Sequence, residues 1–132
     1  MAFQFTFEKL ASHLQNAKDS GYQFLTCTDY VDQKCSLPPK TIVNRVDIDF
    51  SVKKTERICA IFDEVGVRGT FFVRLHAEEY NPFSFENYRI LKELTSQGHE
   101  IGYHSEIIDQ QEIWDETAES CLRRDVQILN DM

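Results

Sequence analysis

The chain has 132 residues, 42% hydrophobic and 27% charged, enough for one compact domain with its own core. A formal net charge of −8 argues against a general nucleic-acid binder, which needs a basic surface for phosphates. No run approaches the roughly 18 apolar residues needed to span a membrane, and Met1-Ala2-Phe3-Gln4-Phe5 lacks the charged and apolar regions of an export signal. Cys27, Cys35, Cys59 and Cys121 form no C-x-x-C pair and match no zinc-motif spacing, with Cys59 and Cys121 reading as small core residues. A reducing, cytoplasmic setting is the expectation.

In chain order, residues 6–20 read as an amphipathic helix. Thr6 caps it, Phe7, Leu10, Ala11, Leu14 and Ala17 form its apolar stripe, and His13 falls on its polar side. Residues 22–28 read as a strand and 29–40, with Pro38-Pro39, as a loop. Thr41 to Asp49 reads as a strand running through a buried centre, with Ser51 as N-cap of a helix that buries Ile58, Cys59, Phe62 and Val65 and stops at Gly66. A strand comes next over 68–75, then a loop through Asn81-Pro82. The next helix spans 84–97, with Phe85, Tyr88, Leu91 and Leu94 inward. A short strand ends at His104, residues 105–111 form a loop, and a last helix over 112–130 turns Trp114, Ala118, Cys121, Leu122 and Leu129 inward. Glu112, Asp115, Glu116 and Glu119 read as its solvated side. Strands alternating with helices predict an α/β fold, a parallel sheet of βαβ units in a single domain. Four parallel strands leave an edge open. The chain breaks off on a helix, so either a second copy or a further C-terminal segment is expected to cover that edge.

Two stretches carry the chemistry. In Asn44-Arg45-Val46-Asp47-Ile48-Asp49-Phe50 the acids are two apart, so on a strand both point to one face. Two carboxylates held together repel unless a cation joins them or one is protonated. The pair is thus a metal or general-base candidate. Equally, Asp49 can cap the following helix while Asp47 pairs with Arg45. In Gly98-His99-Glu100-Ile101-Gly102-Tyr103-His104 the glycine at 102 lets another backbone or a ligand come close, and His104 is delivered to the strand's C-terminal end, where α/β folds collect their chemistry. Asp49 and His104 together offer one oxygen and one nitrogen, which suits Zn²⁺ or another divalent transition metal better than Mg²⁺. Asp47 would stand beside the ion as acceptor of a proton from its water.

These residues resemble a known family. Arg45-Val46-Asp47-Ile48-Asp49, Gly66-Val67-Arg68-Gly69-Thr70-Phe71-Phe72-Val73 and Gly98-His99-Glu100-Ile101-Gly102-Tyr103-His104-Ser105 are similar, in this order, to three motifs of the polysaccharide deacetylases, the NodB-homology or carbohydrate esterase 4 family. The likeness covers residues 41–109, about half of the chain. It implies a distorted (β/α) barrel and metal-dependent removal of acetyl groups from N- or O-acetylated carbohydrate. Asp47 is similar to the family's general base, Asp49 to its first metal ligand and His104 to its first metal histidine. Ser105 fits the small hydroxyl beside that histidine, and His99 is expected to be structural.

Two departures stand out. Ile108 occupies the place of the second metal histidine, which leaves Asp109, or else Glu106, as a substitute oxygen donor. The family's later motifs, including its general-acid histidine, have no counterpart, and His13 and His76 match nothing there. Two other readings therefore stand beside the deacetylase: a non-catalytic domain that binds a glycan or partner, and an amide hydrolase for a non-sugar substrate. Tyr80-Asn81-Pro82-Phe83 comes after a strand and can either stack on a sugar or pack as a loop.

Overall fold

The fold is described from a computed structural model, which covers residues 5–132. The expectation for the first four residues lies outside them. Helix α1 (Phe7–Asp19) is capped by Thr6, whose hydroxyl accepts from the Lys9 N–H at 3.2 Å, and it buries Leu14. Strand β1 (Gln23–Leu25) is followed by helix α2 (Cys27–Gln33), where a loop was expected. The cause is local. Thr26 and Asp29 form a capping box, each side chain accepting from the other's backbone N–H, at 3.1 and 3.2 Å.

The expected strand over 41–49 is divided into β2 (Thr41–Val43) and β3 (Arg45–Ile48), with Asn44 between them. Asn44 donates its N–H to Leu25 and accepts from the Thr70 N–H through its carbonyl. Both groups of an extended residue point to one side. The same edge is therefore paired first with β1 and then with β4 (Thr70–Val73), as two parallel sheets, β1-β2 and β3-β4-β5. Helix α3 (Thr55–Val65) ends at Gly66, whose φ of 72° is the left-handed conformation that stops helices. Its N-cap is Lys54, not Ser51. A turn over 52–54 intervenes, and the Thr55 N–H and hydroxyl both reach the Val52 carbonyl.

Helix α4 (Phe85–Ser96) lies within the expected 84–97 span, is capped by Ser84 and buries Ile90, Leu91 and Leu94. Phe85 points the other way and is 99% exposed, because the stripe runs through 90, 91 and 94 rather than through 85. Strand β5 (Glu100–Tyr103) pairs with β4. Beyond β5 the expected loop and single helix are instead two helices, α5 (Ile107–Trp114) and α6 (Ala118–Asn130). Asp115, at φ 52°, ends the first, and Thr117 starts the second by accepting from the Ser120 N–H at 3.2 Å. Trp114 and Leu122, expected inside, are 44% and 40% exposed, while Cys121 and Asp125 take the buried stripe.

Alternation along the strands separates two faces. Ile48, Phe71 and Val73 are buried with Cys59, Ile61, Phe62, Leu91 and Leu94, with Val46 and Ile101 packed against them. This face lies under α3 and α4, and Leu129 of α6 lines a small cavity beside them together with Leu91 and Ile101. The opposite face presents Asp47, Phe72 and Gly102, which the register sets side by side across β3, β4 and β5, with Arg45 level with Thr70 and Glu100. The fold is α/β. Among the described residues the strands form two small parallel sheets and do not close into the expected barrel.

Candidate functional site

Asp47, Asp49 and His104 meet on the open face of the β3-β4-β5 sheet. Nε2 of His104 lies 3.5 Å from Asp49 Oδ1 and 3.9 Å from Asp47 Oδ2. Period-2 geometry accounts for this: Asp49 and His104, each one residue past the end of β3 or β5, continue the face set by Asp47 and Gly102. The acids are not buried, as the sequence suggested; their side chains are 39% and 52% exposed. Asp47 also pairs with Arg45, whose Nη2 is 2.7 Å from Oδ1 and whose guanidinium lies 4.3 Å above the Phe72 ring. Asp47 thus turns one oxygen to Arg45, as one of the two readings expected, and the other toward His104. Asp49 does not cap α3. Its side chain faces His104 and its carbonyl accepts from Arg74 at 3.1 Å.

Phe72 explains Gly102. A Cβ there would come within 2.7 Å of the ring, so the glycine admits a side chain of the neighbouring strand rather than a backbone or a ligand. Arg74 knits the C-terminal ends of the strands together. It donates to Glu106 at 2.8 Å, to Glu79 at 3.1 Å and to the Asp49 carbonyl. Its hydrogen bond to Glu106, first among the causes, raises its pKa. Glu106, the alternative oxygen donor, is thereby committed to Arg74 and to the His76 N–H. Asp109 is exposed in the first turn of α5, and Ile108 beside it is 65% exposed. Tyr80 packs against the core and donates its hydroxyl to the Ile48 carbonyl at 2.7 Å, so it serves the fold, while Phe83 is 47% exposed.

One spacing at this site is near that of two ligands on a shared cation. Two ligands each about 2.0–2.1 Å from one tetrahedral Zn²⁺ lie roughly 3.3 Å apart, close to the 3.5 Å between His104 Nε2 and Asp49 Oδ1. The nitrogen and carboxylate donors also suit that ion. Nδ1 of His104 is buried and, among the described residues, has no hydrogen-bond partner. Among the described residues no outer carboxylate or carbonyl orients the ring from that side, while its Nε2 faces the two aspartates.

Two groupings escaped the sequence reading. In the first, Asp125 is fully buried on α6. Its Oδ2 accepts from Tyr103 at 2.7 Å, from Gln110 at 2.6 Å and from His76 Nε2 at 3.0 Å. Burial alone would push its carboxyl up, but these donors outweigh that and hold it below the usual range. Tyr103 is pushed up to about 12, first by burial and then by Asp125. His76 also sits edge-on to Trp114, at 5.2 Å. The signal was an acid on the apolar stripe of the last helix, between Cys121 and Leu129.

In the second, the donor atoms of Cys59, Asp63 and His99 lie within 4.8 Å of one another, close enough to hold a metal ion. Cys59 and His99 are buried and Asp63 is exposed. Burial, aided by Asp63, raises the Cys59 thiol to about 11. Burial also draws His99 below the usual imidazole range, against the attraction of Asp63. The signal was Cys59 and Asp63 one helical turn apart on α3.

Comparison with protein-family models, with curated proteins and with solved structures finds no match. Among the described residues no helix is long and apolar enough to cross a membrane.

Proposed function

We propose that the chain carries the site of a metal-dependent hydrolase that removes acetyl groups from N- or O-acetylated carbohydrate. The observation that carries this reading is the convergence of Asp47, Asp49 and His104 on one open face, with His104 Nε2 set 3.5 Å from Asp49 and 3.9 Å from Asp47. Asp49 and His104 would hold a divalent ion of the Zn²⁺ class. Such an ion, when bound, polarises a carbonyl and makes its water a better nucleophile at neutral pH. Asp47 Oδ2 accepts the proton of the attacking water, while Arg45 holds Oδ1 and so fixes which oxygen faces the site. Stacking on Phe72 keeps Arg45 in place. Arg74 holds the Asp49 backbone and Glu106 together, which sets the spacing between the ends of β3 and β5. The side-by-side strands with helices on one face are consistent with a segment of barrel wall.

The Arg45–Asp47 ion pair favours a second reading, a glycan-binding domain without turnover, because the base is already partnered. Acetate release decides between them. With Zn²⁺ present and a panel of N-acetylated oligosaccharides, O-acetylated sugars and simple amides, the deacetylase reading expects release from the sugars that falls at least about 100-fold in Asp47→Asn. Release from simple amides alone would move the substrate class away from carbohydrate. Binding without release would favour the non-catalytic domain.

A further inference from the structure

We infer that Cys59, Asp63 and His99 form a separate, thiolate-containing binding site for a divalent ion of the Zn²⁺ class, at the end of β5 opposite to His104. His99 immediately precedes β5 and His104 immediately succeeds it, so the two sites are separated by five residues of extended chain, roughly 16 Å. The inference is independent of the hydrolase reading, which uses no sulfur.

The site is pre-set by packing. The His99 ring is wedged between Phe62 and Phe71, with centroids 5.8 and 5.4 Å away, which fixes where its nitrogens point. Its side chain is wholly buried, and Nε2 has no hydrogen-bond partner among the described residues. That nitrogen is aimed at Asp63 Oδ1, 3.6 Å away. Cys59 and Asp63, four residues apart on α3, present sulfur and oxygen to the same spot. Gln97 Oε1, 2.8 Å from Cys59 Sγ, is within reach as a fourth donor. A cavity of about 170 Å³ lined by Cys59, Asp63 and Gln97 connects the group to solvent. One sulfur, one nitrogen and one carboxylate select Zn²⁺ and its neighbours over the harder Mg²⁺ and Ca²⁺. An ion here would tie the middle of α3 to the start of β5.

Loading has a defined proton balance. Without the ion, Nδ1 accepts from the Gly69 N–H at 3.4 Å, so the neutral ring carries its proton on Nε2. The ion takes Nε2, and the ring proton moves to Nδ1. The long Gly69 contact then opens, because two N–H groups cannot pair. The thiol gives up its proton to solvent, so one proton leaves per ion bound.

The test is a Co²⁺ titration of the full chain in a Cys27→Ser, Cys35→Ser background. We expect a thiolate-to-Co²⁺ charge-transfer band that saturates at one equivalent. It should persist in His104→Ala and disappear in Cys59→Ala. No band, or a band that survives Cys59→Ala, overturns the site. Nitrogen-15 shifts of His99 give a second readout that needs no substitution. Protonation at Nε2 without metal and at Nδ1 with Zn²⁺ supports the assignment, and an unchanged tautomer at saturating Zn²⁺ overturns it.

Discussion

Asp125→Ala is expected to be among the most damaging single changes in the chain. The carboxylate is fully buried and collects three donors on one oxygen. His76 is 32% exposed and can turn to water once its partner is gone. Tyr103 and Gln110 are held inside and cannot both do so. Each buried donor left without an acceptor costs about 1–3 kcal/mol, so two cost about 2–6 kcal/mol. Relief of the carboxylate's own desolvation offsets part of this. The net loss should be about 3–4 kcal/mol, a large part of the 5–15 kcal/mol typical of a whole domain. In thermal unfolding that is a fall of roughly 10–15 °C. Asp125→Asn keeps the shape and an accepting oxygen and should cost only about 1–2 kcal/mol. The pH dependence has a definite sign. The folded carboxyl lies below its unfolded value, so its stabilisation is complete above the unfolded pKa and is lost as pH falls through the folded one. Urea unfolding of wild type and both variants from pH 7 downward should therefore show the gap to Asp125→Asn closing only on the acid side. An Asp125→Ala loss under about 1 kcal/mol, with an unchanged urea slope, would refute the argument that this network anchors α6 to β5.

The packing predicts three further outcomes. Gly102→Ala drives a Cβ within 2.7 Å of the Phe72 ring and should cost about 1–2 kcal/mol in urea unfolding, largely recovered by adding Phe72→Leu. Glu100 accepts from Thr70 Oγ1 at 2.6 Å and from the Thr28 N–H and hydroxyl. Burial would raise its carboxyl, but the Thr28 and Thr70 bonds lower it. Glu100→Gln should therefore lose about 1–2 kcal/mol at pH 7, measured by urea unfolding, and the difference from wild type should shrink as pH falls through the folded pKa. Phe85→Ser should leave the unfolding free energy in urea within about 0.5 kcal/mol of wild type, since that ring is 99% exposed.

What the sequence revealed and what it hid divide along physical lines. Local signals worked: Thr6 caps its helix and Gly66 stops α3, because each acts within one turn of chain. The period of two that sets Asp47, Asp49 and His104 on one face was also legible. Their exposure was not, because alternation says which residues share a face and not what lies above it. Thr26 with Asp29, and Thr117, were local signals too, but they lie in polar stretches that read as loop or as helix interior. The Asp125 and Cys59 groupings join residues far apart in the chain, and only the fold brings them into contact. Phe85 misled because a large apolar side chain at a helix start fits the stripe by spacing while pointing away from it.

The most direct measurement of the central claim is a metal count after equilibrium dialysis against Zn²⁺. It would use a Cys59→Ala background, so that only the open-face site is read, with Asp49→Ala and His104→Ala beside the parent. The account predicts one ion per chain in the parent and near none in either variant. No ion in the parent, or an ion retained in both variants, would contradict it.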